Sequence, residues 1–174
     1  MVKRKMHRVE YPFNIMITIL FISSLLSFKI DTANIEIYKK ALEHITKSGE
    51  YDKLKGKCYR HYVSPEILSF NALGMFFKEE LKSYVDLDDK DVVPNIVVVD
   101  KEENMLELAE SKRAKLKIYF SEMQDNVFFA EILVADRKVK SYSDRPHFGK
   151  SYIYMFNVED DIVNFVDVKE INYN

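Results

Sequence analysis

The chain has 174 residues, one domain's worth, with 47% hydrophobic and 31% charged residues and only four Gly and four Pro, which argues against a fibrous repeat or a disordered chain. Its formal charge of -2 is unevenly placed: residues 1–33 hold five cations and two acids, leaving 21 cations and 26 acids, a net of -5, in residues 34–174. A mildly acidic body lacks the basic face from which nucleic-acid binding draws most of its affinity, so nucleic acid is not expected as a partner.

The first predicted element is a leader. "MVKRKMHR" carries four cations and is followed by "YPFNIMITILFISSLLSF", Tyr11 to Phe28, which carries no charge. A cationic start and an apolar stretch are two of the three parts of a secretory signal; the third, small residues at a cleavage site, is poor, with Leu25 before Ser27 and Asp31 before Ala33. An uncleaved anchor with a cytoplasmic N-terminus satisfies the positive-inside rule equally well. It is short, since a spanning helix needs about 20 apolar residues and Ile15–Phe28 supplies 14. Burial in the domain core is the least favoured role, because apolar side chains surround the stretch on all sides. Residues 1–33 are therefore expected to be a signal peptide or N-terminal membrane anchor, and residues 34–174 a single domain. That domain is exported, extracellular or periplasmic, or held at the membrane by residues 11–28.

In the body, Asn34 is placed to cap a first helix, with Ile35, Tyr38, Leu42 and Ile45 on one face and Lys47 to Gly49 closing it. "EYDKLKGKCYRHYV" reads as a connection with one short strand at Cys58 to Val63. "SPE" predicts a second helix to about Tyr84, with Ser64 as cap and Pro65 at the first helical position; Ile67, Phe70, Leu73, Phe77, Leu81 and Tyr84 form its stripe. After the polar break "DLDDKDVVPN", "IVVVD" is a short strand. "LKIYFSEM" alternates Leu116, Ile118 and Phe120 against Lys117, Tyr119 and Ser121, the pattern of a half-buried strand. "NVFFAEILVA" is apolar on both faces, as in a central strand. "SYIYMFNV" and "IVNFVDVKEI", joined by "EDD", complete the set. The prediction is α+β, two helices packed on an antiparallel four- to five-stranded meander sheet. By order of elements only, over residues 34–174 and without any motif, this resembles cystatin-like and NTF2-like rolls, a likeness that transfers no activity.

The familiar chemistries mostly lack their residues. "FGKS" would end a phosphate-binding loop, but the glycine required five residues before Gly149 is Asp144. "DLDDKD" lacks the glycine and glutamate of a calcium loop, having Asp91 and Val97 at those positions. Cys58 is the single cysteine and cannot form an internal disulfide; in a strand it points away from His61. His147, in the long 136–150 loop beside Asp144 and Arg145, is the best isolated candidate. A His147–Asp144 pair, with His61 joining through the fold, would act as general base, and Arg145 would hold an anion. Tyr152, Tyr154 and Phe156 share one strand face, with Tyr119 available from another strand; on an open sheet they would grip a sugar or peptide, and under a helix they are core. No cofactor or metal is implied, and the partner is a protein or small molecule that the residues do not name. Two functions follow: a non-catalytic binding or envelope accessory domain, and as the alternative a hydrolase-like enzyme centred on His147.

Overall fold

Residues 116–121 and 127–134 are almost wholly buried, so each must be covered on both of its faces, and the rest of the fold supplies that cover. The computed structural model describes residues 35–56, 60–85 and 98–173. The leader, Cys58 and the acidic run Asp86 to Asp91 lie outside the described residues. No helix among the described residues is long and apolar enough to cross a membrane.

Helix α1, residues 35–46, buries Tyr38, Ala41, Leu42 and Ile45, the spacing of one helical face. It ends where expected, but Gly49 opens a second helix instead of a loop: α2 spans Gly49–Lys55. Ser48 is the reason, since its Oγ accepts the Tyr51 N–H (3.1 Å) and so caps the new helix.

The largest correction falls on "SPE". Ser64 and Pro65 do not start a helix but lie inside strand β1, His61–Leu68. The signal is ambiguous for a physical reason: a serine hydroxyl that accepts an N–H two residues on serves an irregular strand as well as a helix cap. Here Ser64 Oγ accepts from Glu66 N (3.2 Å), and Pro65, which has no N–H to donate, sits in the register shift between Val63 and Ile67. The helix begins instead at Phe70, whose N–H is received by Glu122 Oε1 (3.0 Å). It comes in pieces: α3 (Phe70–Gly74), a 3-10 turn (Met75–Phe77) and α4 (Lys78–Leu81), burying the expected Phe70, Leu73, Phe77 and Leu81.

The remaining elements are β2 (Val98–Lys101), a 3-10 turn (Glu103–Leu108), β3 (Leu116–Ser121), β4 (Val127–Val134), a 3-10 turn (Tyr142–Asp144), β5 (Gly149–Glu159) and β6 (Ile162–Tyr173). They form one six-stranded sheet of order β2-β1-β3-β4-β5-β6. The α+β class stands, but the sheet exceeds the predicted four or five strands and is not purely antiparallel, because β1 pairs with β3 in parallel. The meander from β3 to β6 is as predicted. Its two-residue turns, Asp125–Asn126 and Asp160–Asp161, take positive φ at both positions (48° and 63°, 49° and 62°), the left-handed backbone that matches strand twist.

Alternation along the strands feeds two cores. Ile118, Phe120, Phe128, Ile132, Tyr154 and Phe156 meet α1 and α2. Tyr119, Phe129, Leu133, Ile153 and Met155 meet α3, α4 and the β4–β5 connection. With both faces covered, β3 is not half-buried: Lys117, Tyr119 and Ser121, expected in solvent, are each 0% exposed.

Candidate functional site

Charged groups inside a covered sheet need an account, and on the α3–α4 face there are two, Lys117 and Glu131, on neighbouring strands. The pairs Tyr62↔Lys117, Tyr119↔Glu131 and Gly149↔Tyr173 set a staggered polar row across the sheet, each stepped along the strands from the last, since Lys117 itself faces Leu133 and Glu131 faces Ile153. Residues 135–148, joining β4 to β5, cover this row through Tyr142, whose ring meets that of Tyr119 edge-on at 4.9 Å.

At one end of the row is Glu131, fully buried, with both oxygens engaged. Tyr142 Oη donates to Oε2 (2.5 Å) and Tyr173 Oη donates to Oε1, while Ser151 Oγ donates to Tyr173 Oη (3.1 Å). Burial, followed by the charge of Glu131, pushes both phenols well above the usual tyrosine range, so they remain donors. The Tyr142 N–H is received by Glu66 Oε2 (2.6 Å), and the Arg145 guanidinium lies 4.1 Å from the centre of the Tyr142 ring. One tyrosine thus ties the connection to β1, to β4 and to itself.

At the other end is Lys117. Its Nζ and the neighbouring Tyr119 Oη are buried, and neither has a hydrogen-bond partner among the described residues. Lys117 Nζ lies 4.7 Å from the centre of the Tyr62 ring, and Lys140 Nζ lies 4.6 Å from the same ring while donating to the Lys112 carbonyl. Tyr62, Glu66, Lys112, Lys140 and Ser141 line a cleft of about 320 Å³ between β1, β2 and the connection.

Burial, reinforced by Lys140 and opposed by Asp136, lowers the Lys117 ammonium from 10.5 to about 8. The unfolded chain therefore holds more protons between about pH 8 and 10.5, and stability rises with pH across that window. Lys117→Met, which removes the unpaired charge, is expected to stabilise the protein by about 1–3 kcal/mol at pH 7, and the gain should fade toward pH 10.5. Denaturant unfolding of both proteins across this range measures it. A variant less stable at pH 7, or a difference independent of pH, refutes it.

The residues singled out from the sequence are placed as follows. His61 is buried on the α1–α2 face, where Tyr51 Oη lies 2.9 Å from its Nδ1 and its Nε2 lies 3.2 Å from the Leu108 carbonyl. Only a protonated Nε2 can donate to that carbonyl; Nδ1 faces both the tyrosine and Glu110 Oε2 (3.2 Å), and burial lowers the His61 pKa against the opposing pull of that carboxylate. His147 and Asp144 are exposed in the 135–148 connection, which packs on the opposite face. The structure therefore does not bring His61 to them. Arg145 is half-buried on Tyr142. Tyr152 and Tyr154 lie under α1 and α2, with Tyr154 Oη 2.7 Å from Ser48 Oγ and Tyr152 donating to Glu170 (2.8 Å); Tyr119, on the other face, does not join them. Among the described residues no group of three His, Cys, Asp or Glu is arranged to hold a metal.

Glu131, Tyr142 and Tyr173 escaped the sequence reading. The available signal was Glu131 itself, the single charge within the apolar run Val127 to Ala135. Among protein-family models, curated proteins and solved structures, none matches this chain.

Proposed function

We propose that this chain is a non-catalytic binding domain working outside the cytosol, exported or tethered by residues 1–33 as an envelope accessory protein, and that it takes a small molecule into the Tyr62–Lys140 cleft. The observation that carries the reading is a pair of buried donors without partners among the described residues, Lys117 Nζ, packed on the Tyr62 ring that lines the cleft, and Tyr119 Oη two residues along the same strand. A donor left unmet in the interior costs about 1–3 kcal/mol, and such a cost is commonly retained where a ligand meets it. The volume of about 320 Å³ falls in the range of small-molecule sites. The likeness to cystatin-like and NTF2-like rolls belongs to the proposal too, as a statement about element order.

Two measurements test it. Uncharged fragments such as phenol, titrated into labelled protein, are expected to shift the amides of Tyr62, Leu106 and Ser141 saturably; no shift at these positions refutes the cleft. The mature chain is expected either to lack about 27 to 33 residues or to stay intact in the membrane fraction. An intact chain in the cytosol refutes the address.

A further inference from the structure

The charges around the cleft do not balance, and the imbalance has one sign. Lys101 is paired with Glu103 (3.0 Å), while Glu66 accepts the Tyr142 N–H and keeps its charge, one lining carboxylate against the amines of Lys112, Lys140 and, behind Tyr62, Lys117. Lys112, Lys117 and Lys140 form no ion pair among the described residues, and two of these amines share the ring of Tyr62. Asp136, the carboxylate whose charge reaches Lys117, accepts the Lys138 N–H (2.9 Å) and makes no bond to the amine. Tyr119 adds a neutral buried donor beside Lys117, its phenol held protonated first by burial and then by Glu66. Two ammonium groups on one ring, with Lys112 and a buried phenol nearby, outnumber the single lining carboxylate that has no cation, Glu66, a balance that favours an oxyanion.

We infer that the cleft selects a ligand bearing a small oxyanion, a carboxylate or a phosphate, and that Lys117 is the residue that receives it, with Lys140 at the mouth and Tyr62 turning aside to join the two. This rests on the cleft being the binding site proposed above. The anion supplies the counter-charge that burial denies Lys117, so binding draws a proton onto the amine wherever it is partly neutral in the free protein.

Calorimetric titration of the whole mature chain with benzoate, phenyl phosphate and uncharged phenol, at constant ionic strength set with chloride, tests this. Benzoate or phenyl phosphate is expected to bind at least about tenfold tighter than phenol, a difference of about 1.4 kcal/mol, and the preferred one identifies the carboxylate or phosphate class. Near pH 8 the binding heat should depend on the ionisation enthalpy of the buffer, and for benzoate, which is already ionised at both values, this dependence should vanish near pH 6. Lys117→Met is expected to abolish the preference for the anion while phenol still shifts Leu106 and Ser141; Lys140→Gln is expected to weaken it less. Anions that bind no tighter than phenol, or that bind Lys117→Met as tightly as the parent, overturn the inference and leave the cleft standing. Failure of phenol and both anions to perturb the cleft overturns both readings.

Discussion

Glu131→Ala is expected to lower stability by about 3–5 kcal/mol, since it strands the buried Tyr142 hydroxyl at about 1–3 kcal/mol, leaves the half-buried Tyr173 hydroxyl with Ser151 alone, and removes buried methylenes. The partners are Tyr142 and Tyr173, from the β4–β5 connection and the last strand, so the loss should be local as well as global. In hydrogen exchange the Tyr142 amide, bonded to Glu66, should lose protection ahead of the amides of β3 and β4, and proteases should gain sites between residues 136 and 148. Glu131→Gln keeps both acceptor directions in part and should cost less than half as much. A Glu131→Ala protein that melts with the parent, with Tyr142 equally protected, would sink this account of the latch.

Phe129→Ala should cost a similar amount, about 3–5 kcal/mol, for a different reason: a cavity. The Phe129 ring is fully buried, 5.0 Å from the ring of Phe70 and 5.4 Å from that of Phe77, so it holds α3 and the following 3-10 turn onto the sheet. It also explains Gly74, where a Cβ would lie 3.3 Å from the Phe129 ring and 3.4 Å from Leu81. Alanine is favoured over glycine in a helix by about 1 kcal/mol, but in the parent that preference is spent against the ring. Gly74→Ala is therefore expected to stabilise the Phe129→Ala background more than it stabilises the parent. Denaturant unfolding of the four proteins in the cycle measures the coupling. Equal effects in both backgrounds would show that the close approach at Gly74 is without energetic consequence.

These two cases mark what local pattern carries and what it leaves out. The β3–β6 meander was legible because alternation, short acidic turns and neighbouring pairings are all encoded within a few residues of one another. The stripe of Phe70, Leu73, Phe77 and Leu81 was legible for the same reason. β1 was legible only in its first residues, within the short strand expected at Cys58 to Val63; the rest was not, since Ser64 and Pro65 satisfy helix and bulge rules alike, and the deciding factor is the pairing with β3 far along the chain. The site was legible only in outline. The 136–150 loop was singled out and does cover the polar row, but the side chain that anchors it is Tyr142, not His147. Its partners are distant in sequence, Glu66 by 76 residues and Glu131 by 11, and Glu131 in turn meets Tyr173 across 42. A lysine in an alternating strand reads as solvent-facing until something is known to lie on top of it.

The sheet also has ends. β2 is four exposed residues long, whereas β6 runs for twelve with no neighbour on its outer side among the described residues. A free strand of that length is a template on which another extended chain can crystallise, and its apolar end, with Ile162 at 61% and Phe165 at 47% exposure, is where such growth would start. Asn164, Asp167, Glu170 and Asn172 interrupt the remainder, and the register shift opposite Met155 and Phe156 bends it out of line. Carboxylates brought into register with their own copies repel, and a bent edge mates poorly with a straight one. The polar spacing of the last strand, which contributes little to the core, thus works against fibrous self-association.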